Sequence, residues 1–130
     1  AGFSDYLENK VLTHVFGGTA YTAPSTLYVG LYTAAPSDSG GGTEVSGGSY
    51  ARKSTANMTV SGTSPTQATN GAAIEFVTAT GSWGTVTHVG VFDALTSGNL
   101  LGWAALTASK TVSSGDVFRF DAGDLDITLA

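Results

Sequence analysis

The chain has 130 residues, with ten acidic side chains against five basic ones, a formal charge of −5, and no cysteine. A length of this order fits one domain, residues 1–130, which buries roughly two thirds of its unfolded surface. The missing cysteines exclude disulfides, thiolate metal sites and thiol redox chemistry, and the negative charge opposes nucleic-acid binding, which draws on a basic field.

Charged residues make up only 12% of the chain, against about 25% in an ordinary soluble domain. The surface must therefore be built from Thr, Ser, Gly, Ala and Asn, or be covered by another molecule. No window reaches the ~18 apolar residues of a membrane span, and no basic segment leads into an apolar signal region. Neither a membrane nor a nucleic acid is expected as a partner, and synthesis in the cytoplasm is.

In chain order, "SDYLENKVLTHVFGG" predicts an α-helix from about Asp5 to Phe16. Leu7, Val11 and Val15 recur at four-residue steps, Ser4 or Asp5 can cap the first amides, and Gly17-Gly18 offers a left-handed stop. Gly2 and Phe3 fall just outside it. Short strands bounded by turn-formers follow: Leu27–Thr33, Tyr50–Ser54 running on to Val60, Ala73–Val77, Val86–Phe92, Asn99–Leu106, Val117–Phe120 and Leu125–Leu129. Residues 34–49, 61–71 and 93–99 read as loops, the last as a hairpin connection. The expected fold is mostly β: an antiparallel β-sandwich of about seven short strands, Greek-key or jelly-roll-like, with one N-terminal α-helix.

Three of these strands carry a central glycine, Gly30, Gly90 and Gly102, where glycine costs backbone entropy and adds nothing to packing. Alternation places Leu27, Val29 and Leu31 on one face of the first, with Tyr28, Gly30 and Tyr32 on the other. It likewise sets Val89 and Val91 opposite His88, Gly90 and Phe92. Two apolar faces need two covers. The glycine face is expected to receive the helical stripe of Leu7, Val11 and Val15, or a neighbouring subunit.

Motifs for catalysis are missing: there is no Gly-x-Ser-x-Gly, no phosphate loop and no His-Glu-x-x-His. His14 and His88 read as structural, and no enzyme, cofactor or metal is expected. Asp116, Asp121, Asp124 and Asp126 offer oxygen ligands of the kind calcium takes, but their spacing is that of turns. Trp103 lies in an apolar strand and is expected to be packed; Trp83, between small residues in "GSWGT", is the better candidate for an exposed contact. Arg52 and Lys53 on a strand point to opposite faces, so Arg52 is expected to pair with a carboxylate, Glu44 being one candidate, or to reach across a subunit boundary.

The helix opening Ser4-Asp5-Tyr6-Leu7-Glu8, the segments Tyr28 to Pro36, Glu44 to Arg52 and Trp83 to Asp93, and the closing Gly115-Asp116 and Gly123-Asp124-Leu125 resemble a family of small tailed-bacteriophage virion proteins, often labelled tail fibre or minor structural protein. The resemblance covers nearly the whole chain. It implies a non-enzymatic role in the virion. With neither a repeat nor a heptad array for a shaft, the expectation is a head decoration (cement) protein, homo-oligomeric and possible as a trimer, bound to the major capsid protein or other virion proteins. The alternatives are a tail component (fibre, tip or collar) and a carbohydrate-binding module using Trp83, Tyr21 and Tyr50. Candidate partner contacts are Phe3, Ser4, Tyr6, Asp38, Glu44, Tyr50, Arg52 and Trp83.

Overall fold

A computed structural model describes residues 2–63 and 65–129. The elements in order are β1 (Gly2–Phe3), α1 (Asp5–Val15), β2 (Leu27–Ala34), β3 (Thr43–Glu44), β4 (Lys53–Thr55), β5 (Thr59–Ser61), β6 (Thr66–Thr69), β7 (Ile74–Glu75), β8 (Gly84–Phe92), β9 (Leu100–Val112), β10 (Arg119–Phe120) and β11 (Asp126–Leu129). A six-stranded antiparallel sheet runs β1-β9-β8-β2-β3, with β4 on the same outer edge of β2 as β3. The pairs β10-β7 and the trio β11-β6-β5 form two smaller sheets. This is the mostly β, sandwich-like fold with an N-terminal helix that the residue pattern predicts.

The core lies between the large sheet and the small ones. Val29, Leu31, Val89 and Val91 supply one side, and Ile74, Phe76, Phe118, Phe120 and Leu125 the other. Asn70, almost fully buried, ties the small sheets together. Its Nδ2 donates to the carbonyls of Ala72 and Asp121 at 3.0 and 2.9 Å, and its Oδ1 accepts from the Leu125 amide at 2.9 Å. A buried amide with all these bonds made specifies register as well as stability.

Several strand bounds differ from the expectation. The stretch from Tyr50 to Val60 is two short strands, because it leaves the large sheet after Thr55 and joins another sheet at Thr59. Strands β1, β3 and β6 arise in segments read as flanks or loops; each is short or polar, so alternation gave no signal for it. β9 continues six residues beyond Leu106. It does so through a bulge in which Val86 pairs with Lys110 and His88 with Ala105, leaving four residues opposite Thr87 alone.

The cover of the glycine face also differs. A Cβ on Gly30 would lie 2.8 Å from Glu44 Oε2 and 2.9 Å from Phe92 Cε1, and one on Gly90 would lie 2.9 Å from Tyr32 Cε1 and 3.0 Å from Leu100 Cδ1. Side chains of the same sheet, not α1, fill the room. Gly102 lies on the opposite face, paired with Val91, and there the Gly2 carbonyl would meet its Cβ at 3.0 Å. Helix α1 lies against β9 and β1 with Leu7 and Val11 half-buried, while Val15 points to solvent.

Candidate partner-contact site

The outer edge of β2 has a gap. β3 pairs with Tyr32 and Ala34, β4 pairs with Leu27 to Val29, and between them the Leu31 amide faces outward. Unpaired backbone donors at partly buried positions are costly. Tyr50 fills the gap: its ring packs on Phe76 and Trp83 in the core, and its hydroxyl accepts from the Leu31 amide at 3.0 Å while donating to Glu44 Oε2 at 2.7 Å. Burial first, then that bond to Glu44, pushes the Tyr50 phenol far above its ordinary pKa.

Glu44, opposite Tyr32 in register, is in turn held by Arg52. Nε donates to Glu44 Oε2 and Nη2 to Oε1, both at 2.9 Å, giving the two-pronged geometry that suits guanidinium to carboxylate. Nη1 crosses to the β8–β9 hairpin and donates to the carbonyls of Ala94 (2.9 Å) and Ser97 (2.8 Å). The guanidinium lies 3.5 Å from the centre of the Phe92 ring, a cation–π contact. Burial alone would lower the Arg52 pKa, but the bonded carboxylate outweighs it and the net shift is upward. The expected Glu44–Arg52 pair therefore forms within the chain, as an anchor joining the 43–52 segment to the hairpin. Lys53, next in sequence, is exposed at the start of β4, which begins after Arg52, so the two do not share the strand expected for them.

Above this anchor opens a groove of about 540 Å³ lined by Ser4, Asp5, Tyr6, Asp38 to Gly41, Tyr32, Arg52, Phe92 and Ser97 to Leu100. Its walls are bonded to one another. Ser4 caps α1, its hydroxyl accepting from the Leu7 amide at 3.2 Å and donating to the Leu100 carbonyl. The Asp5 amide donates to the Asp38 carbonyl at 2.8 Å, and Trp103 Nε1 donates to Asp38 Oδ1 at 2.9 Å. Within the hairpin, Asn99 donates from its amide (2.7 Å) and Nδ2 (2.9 Å) to the two carboxylate oxygens of Asp93. Ser97 and Gly98 adopt the positive φ of a tight turn.

Of the sequence-derived contact residues, Ser4, Tyr6, Asp38 and Arg52 thus meet at one groove, with Glu44 and Tyr50 behind Arg52 and Phe3 beside it on β1, paired with Gly102. Trp83 does not join them. It is 3% exposed, stacked edge-on with Tyr50 and Phe76, and its Nε1 donates to the Gly48 carbonyl at 2.9 Å. Its candidacy as an exposed contact is corrected: the small flanking residues leave room for the indole to turn inward, not outward. Trp103, expected to be packed, is instead half-exposed, beside Asp38 and His88. The Trp83–Tyr50 sugar platform falls with that burial, and Tyr21 sets its edge against Tyr6.

Among the other polar residues, His14 Nδ1 accepts from the Tyr21 amide at 3.0 Å, and His88 Nδ1 bonds the Thr87 hydroxyl at 2.8 Å. Asp116 accepts from the Ser113 amide, Asp121 pairs with Arg119 at 2.7 Å, and Asp126 bonds Thr69. No group of three His, Cys, Asp or Glu suited to a metal ion occurs among the described residues, and none of the described helices is long and apolar enough to cross a membrane.

No curated protein is similar to the chain at a significant level. The family described as Podophage GP4 fiber I protein gp80 matches residues 2–128, a span that takes in the capped helix, the Glu44–Arg52 anchor, the hairpin and both layers of the sandwich. The chain belongs to this family of podophage fibre structural proteins.

Proposed function

We propose that the protein is a non-enzymatic structural component of the podophage tail fibre apparatus, present in several copies, that holds neighbouring virion proteins and serves host adsorption. The family match over residues 2–128 carries this reading, and the groove gives it a surface. Three chain segments far apart in sequence, the start of α1, the turn at Ser37 to Gly40 and the hairpin at 93–99, are bonded into a fixed rim around Arg52. A rim already ordered before contact loses little entropy on binding, which favours an attachment point that must bear load. Tyr6, Asp38 and Asn99 are its outward polar contacts, with Phe3 and Ser4 setting the path of the N-terminal segment.

A head decoration role drew on the lack of a repeat or heptad shaft and on an apolar second face in want of cover. Tyr32, Phe92 and Arg52 supply that cover from within the chain, which removes the second of these grounds. The test is to assemble particles carrying Tyr6→Ala with Asp38→Ala, both outside the core. The expected result is loss of this protein from purified particles or a drop in adsorption, with heads that retain DNA normally on heating. Normal adsorption with heads that burst at a lower temperature would favour decoration of the shell instead.

A further inference from the structure

The outer face of α1 ends in three large apolar side chains at i, i+3 and i+4: Leu12 (58% exposed), Val15 (61%) and Phe16 (82%). That spacing sets them side by side on one face, and nothing among the described residues covers them. Elsewhere the sandwich has an opening. β9 beyond Trp103 has a strand partner on one side only among the described residues. Between that edge and the small sheets lies a cavity of about 460 Å³ with Leu106, Phe118, Phe120 and Leu125 in its wall. It is an open cleft with Thr107, Lys110, Asp124 and Asp126 beside its apolar side chains, and since ~150 Å³ already accepts a benzene ring its volume has room for a phenyl group.

We infer that the Phe16 end of α1 in one copy of this chain inserts into the β9-edge cavity of the next copy, a head-to-tail contact that closes into a ring. Charge supports the match. Phe16 is the C-cap of α1, where outward carbonyls leave partial negative charge, and the cavity rim carries Lys110, which forms no ion pair among the described residues and sits 5.5 Å over Phe118. The other rim is acidic, with Asp124 and Asp126, and α1 carries Lys10 on the flank about a third of a turn from Phe16. Knob and hole lie on different parts of one chain, and two unlike patches generate rings when the rotation closes. The inference rests on the multi-copy reading above for the presence of more than one chain, and it names the surfaces.

The experiment is light scattering after size exclusion on the purified chain and on two variants, Phe16→Asp and Leu106→Glu, with Lys110→Glu as a rim change that leaves the core alone. Circular dichroism checks that each folds. The wild type is expected as a closed oligomer, and each variant alone as a monomer, with association weakened at least about tenfold. An equimolar mixture of Phe16→Asp and Leu106→Glu is expected to form a dimer, because one variant keeps the hole and the other the knob. A wild type monomeric at high concentration, an unchanged mass for Phe16→Asp and Lys110→Glu, or a mixture that stays monomeric overturns the inference. If the wild type is monomeric yet Phe16→Asp is lost from particles, the knob serves another virion protein and self-association is likewise overturned. Particle incorporation with a monomeric chain leaves the fibre reading standing, so the two failures are distinguishable.

Discussion

Replacing Arg52 by Ala removes two charge-assisted bonds to Glu44, two bonds to hairpin carbonyls and the stack on Phe92. The Arg52 side chain is 9% exposed and Glu44 26%, so the pair lies between a surface bridge, worth about 0–1 kcal/mol, and a fully buried one, where losing a partner costs about 3–5 kcal/mol. Glu44 keeps the Tyr50 hydroxyl and gains water, which trims the loss. The expected cost is about 2–3 kcal/mol, a fall in Tm of ~10 °C for a chain of this size. Urea denaturation should show the midpoint move with the slope unchanged. Glu44→Gln should cost at least as much, because it leaves the more buried partner charged and uncompensated, and a double-mutant cycle should give a coupling of about 1 kcal/mol or more. Arg52→Lys keeps the charge but not the fork, and should recover no more than about half. A loss below ~0.5 kcal/mol for Arg52→Ala, or additivity in the cycle, would show that the anchor is only a surface pair.

Three further outcomes follow from the same geometry. Gly30→Ala should destabilise by about 1–3 kcal/mol through overpacking against Glu44 and Phe92, whereas Ala at an open site with ordinary φ would not; thermal melts decide it, and a neutral Gly30→Ala would mean that the cover is loose. Tyr50 has a folded-state pKa above its unfolded one, so its contribution to stability is complete below about pH 10 and is lost as pH rises beyond that. Absorbance titration should show Tyr50 ionising only with unfolding, and a rapid ionisation of all five tyrosines near the ordinary value in the folded state would contradict this. Trp83→Ala should cost about 3–5 kcal/mol as a core cavity, with acrylamide quenching Trp103 emission and sparing Trp83; strong quenching of Trp83 would place it at the surface after all.

Much of the fold was legible because long periodic stretches declare themselves. Leu27 to Thr33 and Val86 to Phe92 alternate cleanly, and Ser4 followed by a four-residue apolar step marked the helix. Polar or two-residue strands such as Thr66–Thr69 and Thr43–Glu44 have no period to read, and they exist because neighbouring edges pair with them. The Glu44–Arg52 pair was legible because adjacent Arg52 and Lys53 cannot form one basic patch on a strand, which left Arg52 to a carboxylate, with Glu44 in the preceding loop as one candidate. The tryptophans were misassigned for a physical reason. Flanking composition reports the room around a backbone, not the direction a side chain takes, and Trp83 turned inward to donate to Gly48 while Trp103, in the more apolar strand, faces the glycine side of the sheet beside Asp38. Gly30, Gly90 and Gly102 correctly signalled close approach, but sequence could not say that Phe92, Tyr32 and the Gly2 backbone were what approached.

The most direct check on the fibre reading is position on the particle. Gold-labelled antibody against this chain, viewed by electron microscopy on intact virions, should decorate the tail and its fibres; label distributed over the head surface, with the tail bare, would contradict the account.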